Sequence, residues 1–357
     1  MTIPWLAAPA QAGIITYINA LSGNVGRGGA LNDAGVVVGF STVASGQPRA
    51  FVYNGSTVVD LGTFGGIQSG ARAVNNAGIV VGHSATPSAL RAFRYSGGSP
   101  QDIGTLGGVG ASAHGINDSG VIVGASTTAS GQSHAFKYVN GLMTDLGTMG
   151  GGAISVAMDV NASGVIVGGA RQASGGDRAF RYTGSSMIDL GTLGGATSFA
   201  EAINDAGKIV GGAATSVGAT HAFAYVGSGM VDLGTLGGST SRALDVSASG
   251  TVVGVARDSG NTEYAALWRA DNSIVNLDTW LDLVDAVEGP KWTLFEAEGI
   301  NNNGFVVGSG FYNDGPGGLA DGTRAFVLDT SSLTIPEPAA AALMALTLAS
   351  ALRNRRR

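Results

Sequence analysis

The chain has no cysteine among its 357 residues, which excludes disulfide staples, thiol chemistry and thiolate metal sites. Charge is scarce as well: 12% of residues are charged and the net charge is −6. The last 23 residues contribute +3 of this, four arginines against Glu337, leaving −9 for residues 1–334. An acidic body without basic clusters is a poor partner for nucleic acid. Only four histidines are present, and no Gly-x-Ser-x-Gly elbow or His-Glu-x-x-His pair occurs. No pattern in the chain asks for a cofactor or a metal ion.

Glycine is abundant, with 60 residues and no collagen triplet, which means many turns and many short strands. The 44% hydrophobic content is ample for a buried core and excludes a disordered polypeptide. A unit spanning residues 111–151 shows the organisation. Ser112 to Asn117 runs into the turn Asn117-Asp118-Ser119-Gly120, and the branched run Val121-Ile122-Val123 follows. Then come His134-Ala135-Phe136-Lys137-Tyr138, a turn at Asn140-Gly141, and a last strand ending Asp145-Leu146-Gly147-Thr148. Glycine and asparagine at each boundary accept the positive φ of tight hairpins.

The first-turn glycines fall at Gly35, Gly78, Gly120, Gly164, Gly207, Gly250 and Gly304. Their spacings are 43, 42, 44, 43, 43 and 54, so seven units and one insertion are present. Four strands per unit of about 43 residues is the signature of a β-propeller blade. The seventh unit has no fourth strand of its own, while residues 14–23 stand ahead of the first turn with no unit to belong to. In a ring, that orphan strand completes the last blade. An open β-solenoid has no such use for it. The expected fold is therefore all-β, a seven-bladed propeller over residues 13–334, closed by pairing of residues 14–21 with 324–328. The Ser-x-Ala strand is then innermost, and the Val/Ile strand forms the buried middle of each blade.

Residues 278–287 break the period. They read as a short amphipathic helix with Asp278 as candidate cap and Trp280, Leu281, Val284 and Val287 on one side. Its expected role is a plug or lid on one face of the ring, or a wall of a binding site. The ends differ in character from the body. Residues 1–12 are apolar and finish Ala10-Gln11-Ala12, which suggests the remnant of a secretory signal whose true start lies upstream; the alternative is a short unstructured N-terminus. Residues 335–357 hold Pro336-Glu337-Pro338, fourteen apolar or small residues, and then Arg353, Arg355, Arg356 and Arg357. As a helix the apolar run reaches about 21 Å, with flanking arginines able to snorkel and to mark the cytoplasmic side.

The tail resembles the PEP-CTERM sorting signal. The resemblance implies recognition and cleavage by the membrane protease exosortase in a Gram-negative bacterium, after transient membrane insertion through a short C-terminal hydrophobic helix. The body resembles the extracellular HAF-repeat family, named for the triplet found here as His134-Ala135-Phe136 and His221-Ala222-Phe223, with Arg49, Arg91, Arg178 and Arg324 replacing the histidine elsewhere. That resemblance implies export to the outer surface or extracellular matrix and brings no catalytic residues.

Positions that keep their residue from unit to unit serve the blade; those that vary are free to serve a ligand. The basic residue before Ala-Phe and the aspartate before Leu-Gly repeat, and read as one hydrogen-bonded pair per blade or as a ring of ligand contacts. The Asn-x-x-Gly turns lack the alternating carboxylates of calcium loops. Turn chemistry accounts for them. By contrast, three residues before the turn asparagine stand Gly29, Arg72, His114, Met158, Glu201, Leu244 and Glu298. Two residues earlier stand Arg27, Gly70, Ser112, Val156, Phe199, Arg242 and Glu296, on the same strand face. Ordinary drift at tolerant positions is the plainer account. The ligand-binding candidates are Arg72, His114, Glu201, Arg242 and Glu298. The expected function is a non-catalytic surface protein that binds exopolysaccharide or another envelope protein. The rival is a glycan-acting hydrolase or lyase with channel-mouth carboxylates, Glu201 and Glu298 as acid and base, or with Asp159 and Asp245 converging on them.

Overall fold

Blade one shows how the repeat folds. Its strands are Gly26–Leu31, Val37–Thr42, Pro48–Tyr53 and Val58–Asp60, joined by tight turns. At the first turn Gly35 takes φ 77° and its amide donates to the Asn32 carbonyl at 3.0 Å. The computed structural model describes residues 14–18, 21–227, 229–316 and 318–333. Within them the chain forms seven four-stranded antiparallel sheets. Their innermost strands, from Gly26–Leu31 through Ser69–Val74, Gly107–Ile116, Ser155–Val160, Gly194–Ile203 and Gly237–Val246 to Trp292–Ile300, touch their neighbours in a closed circle.

The circle closes as expected. In blade seven the order from the axis outward is Trp292–Ile300, Phe305–Tyr312, Gly322–Asp329 and then Ile15–Ile18. The added strand runs antiparallel in the register Ile15 to Leu328 through Ile18 to Ala325. Ile18 is buried in one cluster with Val307 and Val327 of blade seven and Val37 and Phe51 of blade one. The N-terminal strand thus completes one blade and also packs the joint to the next.

The core is divided into layers between successive blades. Val38, Ala50 and Val52 of blade one, for instance, pack on Ala71, Val80 and Phe93 of blade two. The branched pairs of the middle strands are fully buried, as are the Ala-Phe phenylalanines Phe51, Phe93, Phe136, Phe180, Phe223 and Phe326. Each middle strand also carries a glycine after its branched pair. A Cβ on Gly39, Gly82 or Gly124 would collide with the inner-strand carbonyl of Arg27, Gly70 or Ser112, and the other four blades repeat this. Glycine is required there by close backbone approach.

Asparagines at the first turns join blade to blade. The side-chain amide of Asn32 donates to the Asn75 carbonyl at 3.0 Å, and Asn75 to Asn117, Asn117 to Asn161, Asn161 to Asn204 and Asn204 to Ser247 follow at 2.9–3.2 Å. Asn301 donates to Asn32 at 3.1 Å and completes the circle except at Ser247. Each asparagine oxygen accepts the amide four residues on, so turn chemistry is only half of the role. Serines at the start of inner strands add a second link. Ser69 accepts from the Ala50 amide at 2.9 Å and donates to the Gly62 carbonyl at 2.6 Å.

The insertion differs from the sequence-based expectation. Its helix spans Leu277–Val284 and is capped by Asn276, which accepts from the amides of Asp278 and Thr279; Asp278 instead accepts the Leu294 amide at 2.7 Å. Leu277 and Leu281 are the buried residues, with Trp280 packed beside them, while Val284 and Val287 are exposed. The helix lies against the third and fourth strands of blade six and the inner strand of blade seven, where it fills the wider joint between them. It neither lids the ring nor borders the axial cavity. The apolar start at residues 1–12 and the segment expected to hold the C-terminal hydrophobic helix and the sorting motif lie outside the described residues. No described helix is long and apolar enough to cross a membrane.

Candidate functional site

Every inner strand contains a β-bulge, and in every blade it falls at the same place. Register shifts skip Gly29, Arg72, His114, Met158, Glu201, Leu244 and Glu298. These are the variable residues three places before the turn. A bulge leaves one residue outside the ladder and re-aims its side chain. Here all seven border one cavity of about 1050 Å³ on the axis. Arg27, Gly70, Phe199 and Arg242 of the second variable set border it too. All five ligand-binding candidates are therefore brought together.

The cavity walls carry charge of both signs. Arg27 reaches Glu296 at 3.1 Å and stacks 5.5 Å above the Phe295 ring. Arg242 stands 3.9 Å from Glu201, its stem packed over Gly212. Arg72 is exposed to the cavity and makes no hydrogen bond or ion pair among the described residues. Burial raises Glu298 to about 8, helped by the charge of Glu296 and a hydrogen bond to it, against the pull of Arg242 and Arg72. Burial also raises Glu201, while Arg242 and Arg72 act in the opposite sense. Glu298 is thus held protonated near neutral pH. Glu201 lies on blade five and Glu298 on blade seven, with Arg242 on blade six between them.

Two histidines face the same space. His114 is lowered to about 4 by burial and by the Arg72 charge, and its Nδ1 lies 3.0 Å from the Ala157 carbonyl. In the neutral ring Nδ1 therefore carries the hydrogen, leaving Nε2 as an acceptor. His83, from a middle strand, is also lowered to about 4 by burial and Arg72. Its ring covers the space left by Gly70, and its Nδ1 is buried without a partner. Sequence reasoning missed His83, although the residue after each middle-strand glycine varies as freely as the inner-strand sets: Phe40, His83, Ala125, Gly169, Gly212, Val255 and Ser309.

The remaining carboxyl candidates are structural. Asp159 accepts the amides of Val160 at 2.7 Å and Ile203 at 2.9 Å, and Asp245 those of Val246 at 2.7 Å and Ile300 at 2.8 Å. Each ties its own inner strand to the next. Burial raises both, Asp245 to about 7. The repeated basic–acidic pairs lie on the outer strands, at 2.8 Å for His134–Asp145 and His221–Asp232, 3.7 Å for Arg91–Asp102 and 3.6 Å for Arg178–Asp189. They join third to fourth strands rather than forming a ligand ring. In blade seven, Arg324 lies over Tyr17 of the N-terminal strand instead.

These features define a seven-bladed β-propeller whose repeated polar residues hold the ring together and whose variable ones converge on its axis. No protein-family model and no curated protein matches the chain. Among solved structures it is similar to TolB from Acinetobacter baumannii, at 13% identity over 66% of this chain and 61% of that one, with a TM-score of 0.48. It is also similar to AofleA from Arthrobotrys oligospora, at 8% identity over 73% and 88%, TM-score 0.42. A gluconolactonase from Xanthomonas campestris aligns at 13% identity over 88% and 87%, TM-score 0.39. The chain spans about three fifths of the length of TolB. At such identities no activity or ligand passes from them to this chain.

Proposed function

We propose that this chain is an exported, non-catalytic β-propeller of a bacterial surface or extracellular matrix, which binds exopolysaccharide or another envelope protein in its axial cavity. One observation carries the reading. The repeated polar residues are consumed in joining strands and blades, whereas the seven bulge residues vary and border the cavity. The address rests on the tail, where Pro336-Glu337-Pro338, the apolar run and Arg353, Arg355, Arg356 and Arg357 stand in the order of an exosortase substrate. Screening the full chain on a glycan array, with product analysis, tests the activity. Binding without turnover is expected. For the address, alanines at Pro336, Glu337 and Pro338 should leave the precursor uncut in a host with exosortase. Finding uncut protein in the cytoplasm of the native host would overturn it.

A second reading has its own support. A carboxyl held protonated near neutral pH is suited to general acid work, and Glu298 is one, with Glu201 on the same cavity. Against it, the two carboxyls stand on blades five and seven with blade six between them, and Arg242 stands beside Glu201. Turnover that disappears in Glu201→Gln or Glu298→Gln would establish the enzyme.

A further inference from the structure

The walls of the axial cavity differ in what they can offer a ligand. Arg27 is engaged by Glu296 and Arg242 stands at Glu201, so neither guanidinium is free to neutralise an incoming charge. Arg72 is the one cavity guanidinium without a hydrogen bond or ion pair among the described residues, although its charge is felt by Glu201 and Glu298, and it projects from its bulge into the cavity. Acceptors stand on the same walls. His114 presents Nε2, because its Nδ1–H is committed to the Ala157 carbonyl, and Glu201 presents carboxylate oxygens.

One guanidinium without an ion-pair partner, set beside acceptors, matches a ligand with one negative charge and many hydroxyl donors. We infer that the cavity binds a sugar acid, such as a uronate residue of an acidic polysaccharide, with its carboxylate on Arg72 and its hydroxyls donating to His114 Nε2 and Glu201. This rests on reading the cavity as the binding site and names the ligand class for it. A planar guanidinium can take the carboxylate with two parallel hydrogen bonds, which an ammonium cannot. A dianion such as a phosphate ester fits less well, since only one guanidinium lacks an ion-pair partner and Glu201 stands on the same walls. An amino sugar fits less well too. Arg242 already faces Glu201, and the protonated Glu298 has no charge to give an ammonium group.

The test is calorimetric titration of the full chain with four probes of equal length: an oligogalacturonate, the same oligomer with its carboxyls reduced to alcohols, a phosphorylated galacto-oligosaccharide and a chitosan oligomer. The oligogalacturonate should bind best. Arg72→Ala should weaken it roughly ten- to hundredfold, as loss of a charge-assisted hydrogen bond implies. Arg72→Lys should recover only part of that. Equal binding of the reduced oligomer, with no effect of Arg72→Ala but loss in Glu201→Gln, overturns the sugar-acid assignment and leaves the cavity as the site. A preference for the phosphorylated or the chitosan probe also overturns it. Binding of any probe that survives both Arg72→Ala and Glu201→Gln places the site elsewhere and overturns the cavity reading with it. If no probe binds, the assignment fails.

Discussion

The side-chain amide of Asn301 donates to the backbone carbonyl of Asn32 at 3.1 Å, linking turns 269 residues apart in sequence. The same contact recurs between successive blades, so each asparagine holds the next turn while fixing its own. Ser247 interrupts the series, because its shorter side chain is spent on Ser249 and the Thr251 carbonyl.

Ser247→Asn should therefore supply the missing link to Asn301 and stabilise the ring by about 0.5–1.5 kcal/mol. Asn117→Ala should cost about 1–3 kcal/mol, since it leaves the part-buried Val121 amide without its acceptor and the buried Asn161 carbonyl without its donor. Urea unfolding of the two variants checks both signs. A destabilised Ser247→Asn protein would show that the gap is required.

Gly124→Ala tests the geometry behind the bulges. Its Cβ would meet the Ser112 carbonyl and the Phe136 ring. A loss of about 1–3 kcal/mol is expected, as for an overpacked core. Gly120→Ala on the same blade meets nothing in space, so its cost should come from its φ of 78° alone. Equal effects by two different routes would be a coincidence; the close-approach argument fails if Gly124→Ala is neutral.

Removing residues 1–22 takes away the outer strand of blade seven and the buried Ile18. Burial of that one side chain contributes about 1.5–3 kcal/mol, and its backbone pairing adds to it, so a fall in melting temperature of at least about 2 °C is expected for a ring of this size. Unchanged melting would mean that the ring is held shut without this strand.

The pH dependence isolates Glu298. The folded chain holds its proton up to about pH 8, whereas an unfolded glutamate releases it near 4.5. Folding therefore takes up a proton in between, and the stability from this group, full below about 4.5, is lost as pH rises to about 8. Glu296 strengthens the effect; Arg242 and Arg72 oppose it. His83 and His114 act in the other direction, gaining stability from about 4 to 6.5, and do so in wild type and variant alike. Glu298→Gln should melt progressively higher than wild type between pH 5 and 8. Parallel melting curves would show that the carboxyl is ionised in the folded chain.

Ring size, closure and strand order were legible because they rest on period 43 and on an orphan strand at one end. The five channel candidates were legible for a related reason: a repeat exposes its variable positions by contrast. Why they vary together was not, since the bulge at Arg72 or Glu298 is a property of the ladder and leaves no residue type of its own. The asparagine ring was hidden behind an adequate local explanation, as Asn-x-x-Gly already accounts for a turn. The inserted helix was placed on the wrong surface for want of a partner. Leu277, outside the predicted segment, is what anchors it to Leu294 and Trp292.

The strand Ile15–Ile18 leaves the ribosome before any of the seven blades, yet its partner Gly322–Asp329 follows the last turn of the last one. A chain under synthesis must carry that strand unpaired almost to the end. Any interrupted product is an open arc with two bare apolar blade faces and an unpaired strand, the form of this protein most prone to aggregation and proteolysis. Completion is thus recorded in a single seam. A cell that clears bare apolar faces would spare finished molecules without having to recognise anything else about them.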